Sequence, residues 1–145
     1  MLYFDTSYIA RLYLEDHGCA EVRKLAATDA ISTARHGRLE TLAAFHRALR
    51  ETRIEMAAYE QLRRQFENDC QAGGLHCFPL TAAVYQQAEA VFATASASVF
   101  LRAADALHLA SAAQNGFAEI YSHDRHLLAA APLFGLRGVN IIPAL

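Results

Sequence analysis

Five short apolar runs alternate with longer amphipathic stretches along this chain. Leu2-Tyr3-Phe4, Ala30-Ile31-Ser32, Leu75 to Leu80, Ala118 to Ser122 and Val139 to Ile142 read as buried strands. Between them, Ile9 to Leu14, Ala20 to Ala27, Leu39 to Arg50, Met56 to Gln71, Ala82 to Ala95, Arg102 to Gln114 and Arg125 to Ala131 read as helices. The spacing is clearest in Leu39, Leu42, Ala43, His46 and Leu49, and again in Leu107, Ala110 and Ser111. Gly73-Gly74 and Asn115-Gly116 offer the left-handed stop that follows many helices. Strand and helix in alternation predict an α/β fold, a three-layer α/β/α sandwich around a mainly parallel sheet. Pro79 lacks the amide a central strand needs, so the third strand belongs at an edge.

A length of 145 residues predicts one domain spanning 1–145, because a single core fills roughly 100–200 residues. Hydrophobic residues at 54% and charged ones at 19% exclude a disordered chain. The least charged stretch, Gln86 to Leu101, contains Glu89 and falls short of the ~20 apolar residues a bilayer demands. The start lacks a basic segment followed by a long apolar one, so no signal peptide or membrane anchor is expected and the location predicted is cytoplasmic. Cys19, Cys70 and Cys77 have neither knuckle nor redox-pair spacing and read as reduced thiols. The net charge of -2 gives no global attraction to nucleic acid, but residues 31–64 hold seven Arg against four acids. Arg35 and Arg38 in that segment are the candidates for RNA phosphate contacts; the alternative is a solvated helix face.

Ligands of a parallel sheet bind beyond the carboxyl ends of its strands. Asp5 directly follows the first strand and Asp124 follows the fourth across one residue. Asp105 opens the helix Arg102 to Gln114 among apolar neighbours, and Glu40 is expected in the opening turn of the helix after the second strand. Taken singly, each has a plainer reading: Asp5 and Asp124 as helix caps, Glu40 and Asp105 as acids favoured by a helix dipole. Taken together, carboxylates gathered at one end of a sheet repel one another and lose hydration unless a cation neutralises them. An all-oxygen donor set suits Mg2+ or Mn2+, and such a site can activate water and stabilise a leaving oxygen at phosphorus. Asp5, Glu40, Asp105 and Asp124 are therefore the candidate metal-binding and catalytic residues.

Four segments carry a resemblance to a known family: Leu2-Tyr3-Phe4-Asp5-Thr6-Ser7, Arg38-Leu39-Glu40, Leu101-Arg102-Ala103-Ala104-Asp105-Ala106-Leu107-His108-Leu109-Ala110, and Tyr121-Ser122-His123-Asp124-Arg125-His126-Leu127-Leu128-Ala129-Ala130-Ala131. In that order they resemble PIN-domain ribonucleases, and specifically the VapC-type toxins of bacterial toxin-antitoxin pairs. The resemblance implies a Mg2+- or Mn2+-dependent endoribonuclease whose acids correspond to Asp5, Glu40, Asp105 and Asp124. It also implies an RNA substrate, a small cognate antitoxin and a homodimer. Ala34 departs from the pattern, which often has Ser or Thr six residues before the Glu; Ser32 or Thr33 stands nearby. Thr6 and Ser122 are candidates to orient the carboxylates, or else strand-end hydroxyls that bond backbone.

Other chemistries find less support. His123 with His126, or Asp105 with His108, is a possible start for a zinc site, but no Cys joins them and no further His follows at the right spacing. Neither glycine-rich phosphate motif is present, and Lys24, the sole lysine, is misplaced for a phosphoacceptor receiver. The remaining alternative is a catalytically inactive PIN-like module that binds RNA or protein.

Overall fold

The computed structural model describes residues 1–145. Its strands are β1 (Leu2–Tyr3), β2 (Ile31–Ala34), β3 (Leu75–Phe78), β4 (Glu119–Tyr121) and β5 (Arg137–Val139). Its helices are α1 (Thr6–Tyr13), α2 (Cys19–Ala26), α3 (Arg35–Arg50), α4 (Met56–Gln71), α5 (Ala82–Thr94), α6 (Ala103–Gln114) and α7 (Arg125–Ala130), the last continued by a 3-10 turn, Ala131–Phe134. β1 pairs parallel with β2, β2 with β3, and β4 with β5. A parallel bridge from Phe4 to Tyr121 joins the two groups, so the strands run β3-β2-β1-β4-β5. The order reverses direction between β1 and β4, which is where a crevice opens in sheets of this kind.

Alternation along each strand builds a core on each face. Phe4, Ile31 and Leu75 face one way and pack with Ile9, Val22, Phe45 and Phe66 of α1 to α4. Tyr3, Ala34 and Ile120 face the other way, against Val84, Leu109 and Leu127 of α5 to α7. The three-layer sandwich expected from the sequence is the observed fold. β3 lies at the sheet edge and ends one residue before Pro79, which has no amide to continue the ladder.

Several boundaries differ from the sequence pattern, among them the start of α1 at Thr6 and the end of β3 at Phe78. β2 runs on through Thr33 and Ala34, and α3 starts directly after it at Arg35 rather than at Leu39. The polar first turn Arg35-His36-Gly37-Arg38 hides that start from an apolar periodicity, and it moves Glu40 from an opening turn into the second turn of α3. β5 is Arg137–Val139 and shares only Val139 with the expected Val139 to Ile142; Ile142 instead folds back into the core beside α1 and α2.

Candidate active site

Asp5 ends β1 and caps α1. Its Oδ1 accepts the Tyr8 amide at 3.2 Å and the Ser7 hydroxyl at 2.6 Å, while Oδ2 accepts the Ser122 hydroxyl at 2.6 Å. Its own amide donates to Tyr121 O at 3.0 Å, the contact that fastens β1 to β4. Asp124 caps α7 in the same way, accepting the His126 amide at 2.8 Å and the Leu127 amide at 3.3 Å. The Ser122 hydroxyl also accepts the Asp124 amide at 2.9 Å, so one serine fixes the spacing of both acids. The capping reading and the site reading hold together: the caps are what aim these carboxylates. Asp105, on the first turn of α6, accepts Arg102 Nε at 2.8 Å, and the same guanidinium reaches the Asp124 carboxylate.

Glu40 stands slightly apart. Its Oε1 accepts the Thr6 hydroxyl at 2.9 Å and His108 Nε2 at 2.7 Å, and His36 Nε2 lies 3.5 Å away. His108 is 1% exposed and its Nδ1 faces the Tyr3 hydroxyl at 3.1 Å. With the tyrosine donating to Nδ1, the hydrogen rests on Nε2 and points at the carboxylate. His36 donates from Nε2 to Ala104 O at 3.0 Å, which ties the start of α3 to α6.

Burial sets the charge states. It pushes Asp5 above the usual carboxylate range, against the pull of His108, Ser122, Ser7 and the Tyr8 amide. Burial also raises Asp105, where Arg102 opposes the shift and Asp124 adds to it. At Glu40 and Asp124 burial pulls upward too but is outweighed. The His108 hydrogen bond leaves Glu40 below the ordinary value, and the helix amides with Arg102 do so for Asp124. Burial and the neighbouring His108 depress His36 to about 4, which keeps its ring neutral near pH 7. Asp5 thus has no guanidinium or ammonium against it, and at Asp105 the single guanidinium of Arg102 does not cancel the effect of burial. Their oxygens and those of Asp124 are hard donors, the class that Mg2+ and Mn2+ take.

The PIN domain family model matches residues 2–132. The chain belongs to the PIN domain family. Among solved structures, VapC20 of Mycobacterium tuberculosis, described as a toxin cleaving the sarcin-ricin loop, is similar with a TM-score of 0.71 and 20% identity over 90% of this chain and 95% of that one. A chain of FitAB bound to the IR36 DNA fragment is similar with a TM-score of 0.72 and 14% identity over 100% of this chain and 98% of that one. At these identities the likeness is one of fold. No curated protein sequence matches significantly.

Within this PIN domain, hydrogen bonds connect Asp5, Asp105 and Asp124 through Ser122 and Arg102, and Glu40 joins them through Thr6, the residue after Asp5. The acids do not meet at a single point. The group whose ligand atoms lie within 4.8 Å of one another is His36, Glu40 and His108. Of the zinc pairings suggested by spacing, His123 and His126 lie elsewhere, beside Asn140 and Phe100, and His108 belongs to the group without Asp105, which accepts Arg102 instead. Sequence reasoning missed His36 as a neighbour of Glu40. The i,i+4 spacing of the two is a visible signal once α3 is known to start at Arg35. Arg102 was also missed as the cation between two acids, although its position three residues before Asp105 was legible. Arg35 and Arg38 sit in the first turn of α3, close enough to Cys70 and Cys77 to counter the upward shift of those thiols. All three cysteines are free, and no helix is long and apolar enough to cross a membrane.

Proposed function

We propose that this PIN domain is a Mg2+- or Mn2+-dependent endoribonuclease and the toxin of a toxin-antitoxin pair. The observation that carries the reading is the joining of Asp5, Asp105 and Asp124 by Ser122 and Arg102 beyond the carboxyl ends of β1 and β4. Asp5, Asp105, Asp124 and Glu40 would hold the cation. When bound, it neutralises the acids, lowers the pKa of water and steadies the leaving oxygen at phosphorus. Ser122 and Ser7 keep Asp5 aimed, while Thr6 and His108 keep Glu40 ionised and fixed. Arg102 supplies one positive charge beside Asp105 and Asp124, whose oxygens would be shared with a bound cation. Arg35 and Arg38, in the first turn of α3, supply charge for backbone phosphates.

The toxin role follows the likeness to VapC20, and the partner expected is a small antitoxin that covers the crevice. A basic side chain of that antitoxin, best an arginine, would pair with the carboxylates in the metal's place. A homodimer is the expected assembly. The decisive experiment incubates RNA with wild type and with a folded Asp5→Asn, Asp105→Asn double variant. Cleavage should fall by orders of magnitude in the variant, disappear from the wild type in EDTA and return with Mg2+ or Mn2+. Full cleavage by the folded double variant overturns the reading. Induced expression of the wild type alone should arrest growth, and the Asp5→Asn form should not; harmless expression of the folded wild type removes the toxin role and leaves the ribonuclease.

A further inference from the structure

The segment between α5 and α6 holds one large aromatic out toward solvent. Val99 and Leu101 pack against the core, and Phe100 between them is 54% exposed. Anchoring on both sides fixes the direction of the ring, and the turn before it is tied by Val99 N donating to Ser96 O at 3.0 Å. The ring of Phe100 lies against His126 with centroids 4.3 Å apart and planes 38° to each other. The Arg102 guanidinium stands 6.0 Å from its centroid. That guanidinium also bonds Asp105 and Asp124, so the aromatic pair begins one side chain away from the acids.

We propose that Phe100, backed by His126, is a stacking platform for an unpaired nucleobase next to the scissile phosphate of a single-stranded or looped RNA. The proposal rests on the ribonuclease reading and adds a base-binding subsite to it. An exposed aromatic costs the free protein an ordered contact with water, and a protein partner would match it with an apolar surround. Here the ring's neighbours are Arg102 and the half-buried His126, with the exposed Arg125 next to His126 in the chain, which suits a polyanion whose bases present π-faces. Single-stranded nucleic acid is held by this combination of cations along the backbone and aromatics under the bases, with little demand on sequence. A phosphate at the acids leaves the neighbouring base within reach of Phe100, because only the Arg102 side chain separates the two.

The test uses single-stranded oligoribonucleotides that carry 2-aminopurine at successive positions, with the full chain in the non-cleaving Asp5→Asn background. One position should lose fluorescence on binding. Phe100→Ala should abolish that loss and weaken binding roughly 5- to 150-fold, the range of one stacked base. Phe100→Trp should keep both, while Phe100→Leu, apolar without a π-face, should behave like the alanine variant. Cleavage by the wild type with no quenched position overturns the platform and leaves the ribonuclease standing; absence of both RNA binding and cleavage overturns the two together. A Phe100→Ala change that spares quenching and affinity but weakens self-association in sedimentation makes Phe100 an interface residue and also overturns the platform.

Discussion

His108 Nε2 lies 2.7 Å from Glu40 Oε1, joining α6 to α3 across 68 positions of sequence. The contact makes a buried imidazole the chief counterweight to the desolvation of Glu40, and the Tyr3 hydroxyl on its other nitrogen fixes the ring. Replacing His108 by Leu keeps the volume and removes the donor. Unfolding free energy should fall by about 1–3 kcal/mol, the cost of leaving a buried partner unmatched. The Glu40 carboxyl should titrate at a higher pH by carboxyl NMR. A Glu40 titration that does not move contradicts the role assigned to His108.

Arg102 holds the place between Asp105 and Asp124 that a metal ion would neutralise. Arg102→Gln should therefore tighten Mn2+ binding in calorimetry, since a competing cation has been removed. The same change should lower the melting temperature in EDTA, where two neighbouring acids have lost their counter-charge. Unchanged or weaker Mn2+ binding would mean that Arg102 does not compete for those oxygens.

The acids themselves were legible in the sequence because each is placed by a local rule: Asp5 and Asp124 by the ends of strands, Asp105 by its position at a helix start. The layers and the parallel sheet were legible from the alternation of strand and helix, but the buried face of α3 was not: the stripe Leu39, Leu42, Ala43, His46 and Leu49 leaves Leu39 72% exposed, while Gly37, Thr41, Phe45 and Ala48 face the core. The partners of the acids were not legible. His108 meets Glu40, and Ser122 meets Asp5 from 117 positions away, only after α6 and β4 have packed beside β1. The early start of α3 was hidden because its first turn is polar, and that concealed the shared face of His36 and Glu40.

Gly37 tests how closely α3 and α6 approach. In a helix interior, alanine is favoured over glycine by about 1 kcal/mol. A Cβ at position 37 would stand 2.7 Å from Thr33 Oγ1 and 3.1 Å from His108 Cε1, and both neighbours are buried. The clash outweighs the propensity gain, because both side chains are buried and His108 is tethered at both nitrogens. Gly37→Ala should lower stability in denaturant titration and weaken cleavage through His108. A stabilised Gly37→Ala would show that the packing there is loose.

Arg35 and Arg38 are assigned to phosphate contacts away from the acids. Each such contact lowers the slope of log affinity against log salt by roughly 0.7 for single strands. The double change to Gln should flatten the slope by about 1.4 and raise the Michaelis constant while the cleavage position stays fixed. An unchanged slope returns these arginines to the solvated-face reading and directs the RNA path toward Arg102 and Arg125.

Asp5 offers the sharpest contrast between stability and function. Burial raises its pKa above the ordinary carboxylate value, so the folded chain holds a proton at a pH where the unfolded chain has released it. The stability from that proton is complete below the unfolded value near 4 and is lost as the pH rises through the folded value. At pH 7 the unfolded chain has released this proton, so burying Asp5 is a net cost to the metal-free fold. Asparagine retains an acceptor for the Ser7 hydroxyl and the Tyr8 amide, offers an amide to the Ser122 oxygen, and carries no charge. In EDTA at pH 7, Asp5→Asn should melt above the wild type, and the gap should close as the pH falls toward 4. Mn2+ should reverse the order, because a ligand bound only by the folded state raises its stability in proportion to occupancy and the variant has lost a ligand oxygen. A wild type that melts above Asp5→Asn in EDTA at pH 7 would show that the hydrogen bonds to Asp5 outweigh the burial of its charge.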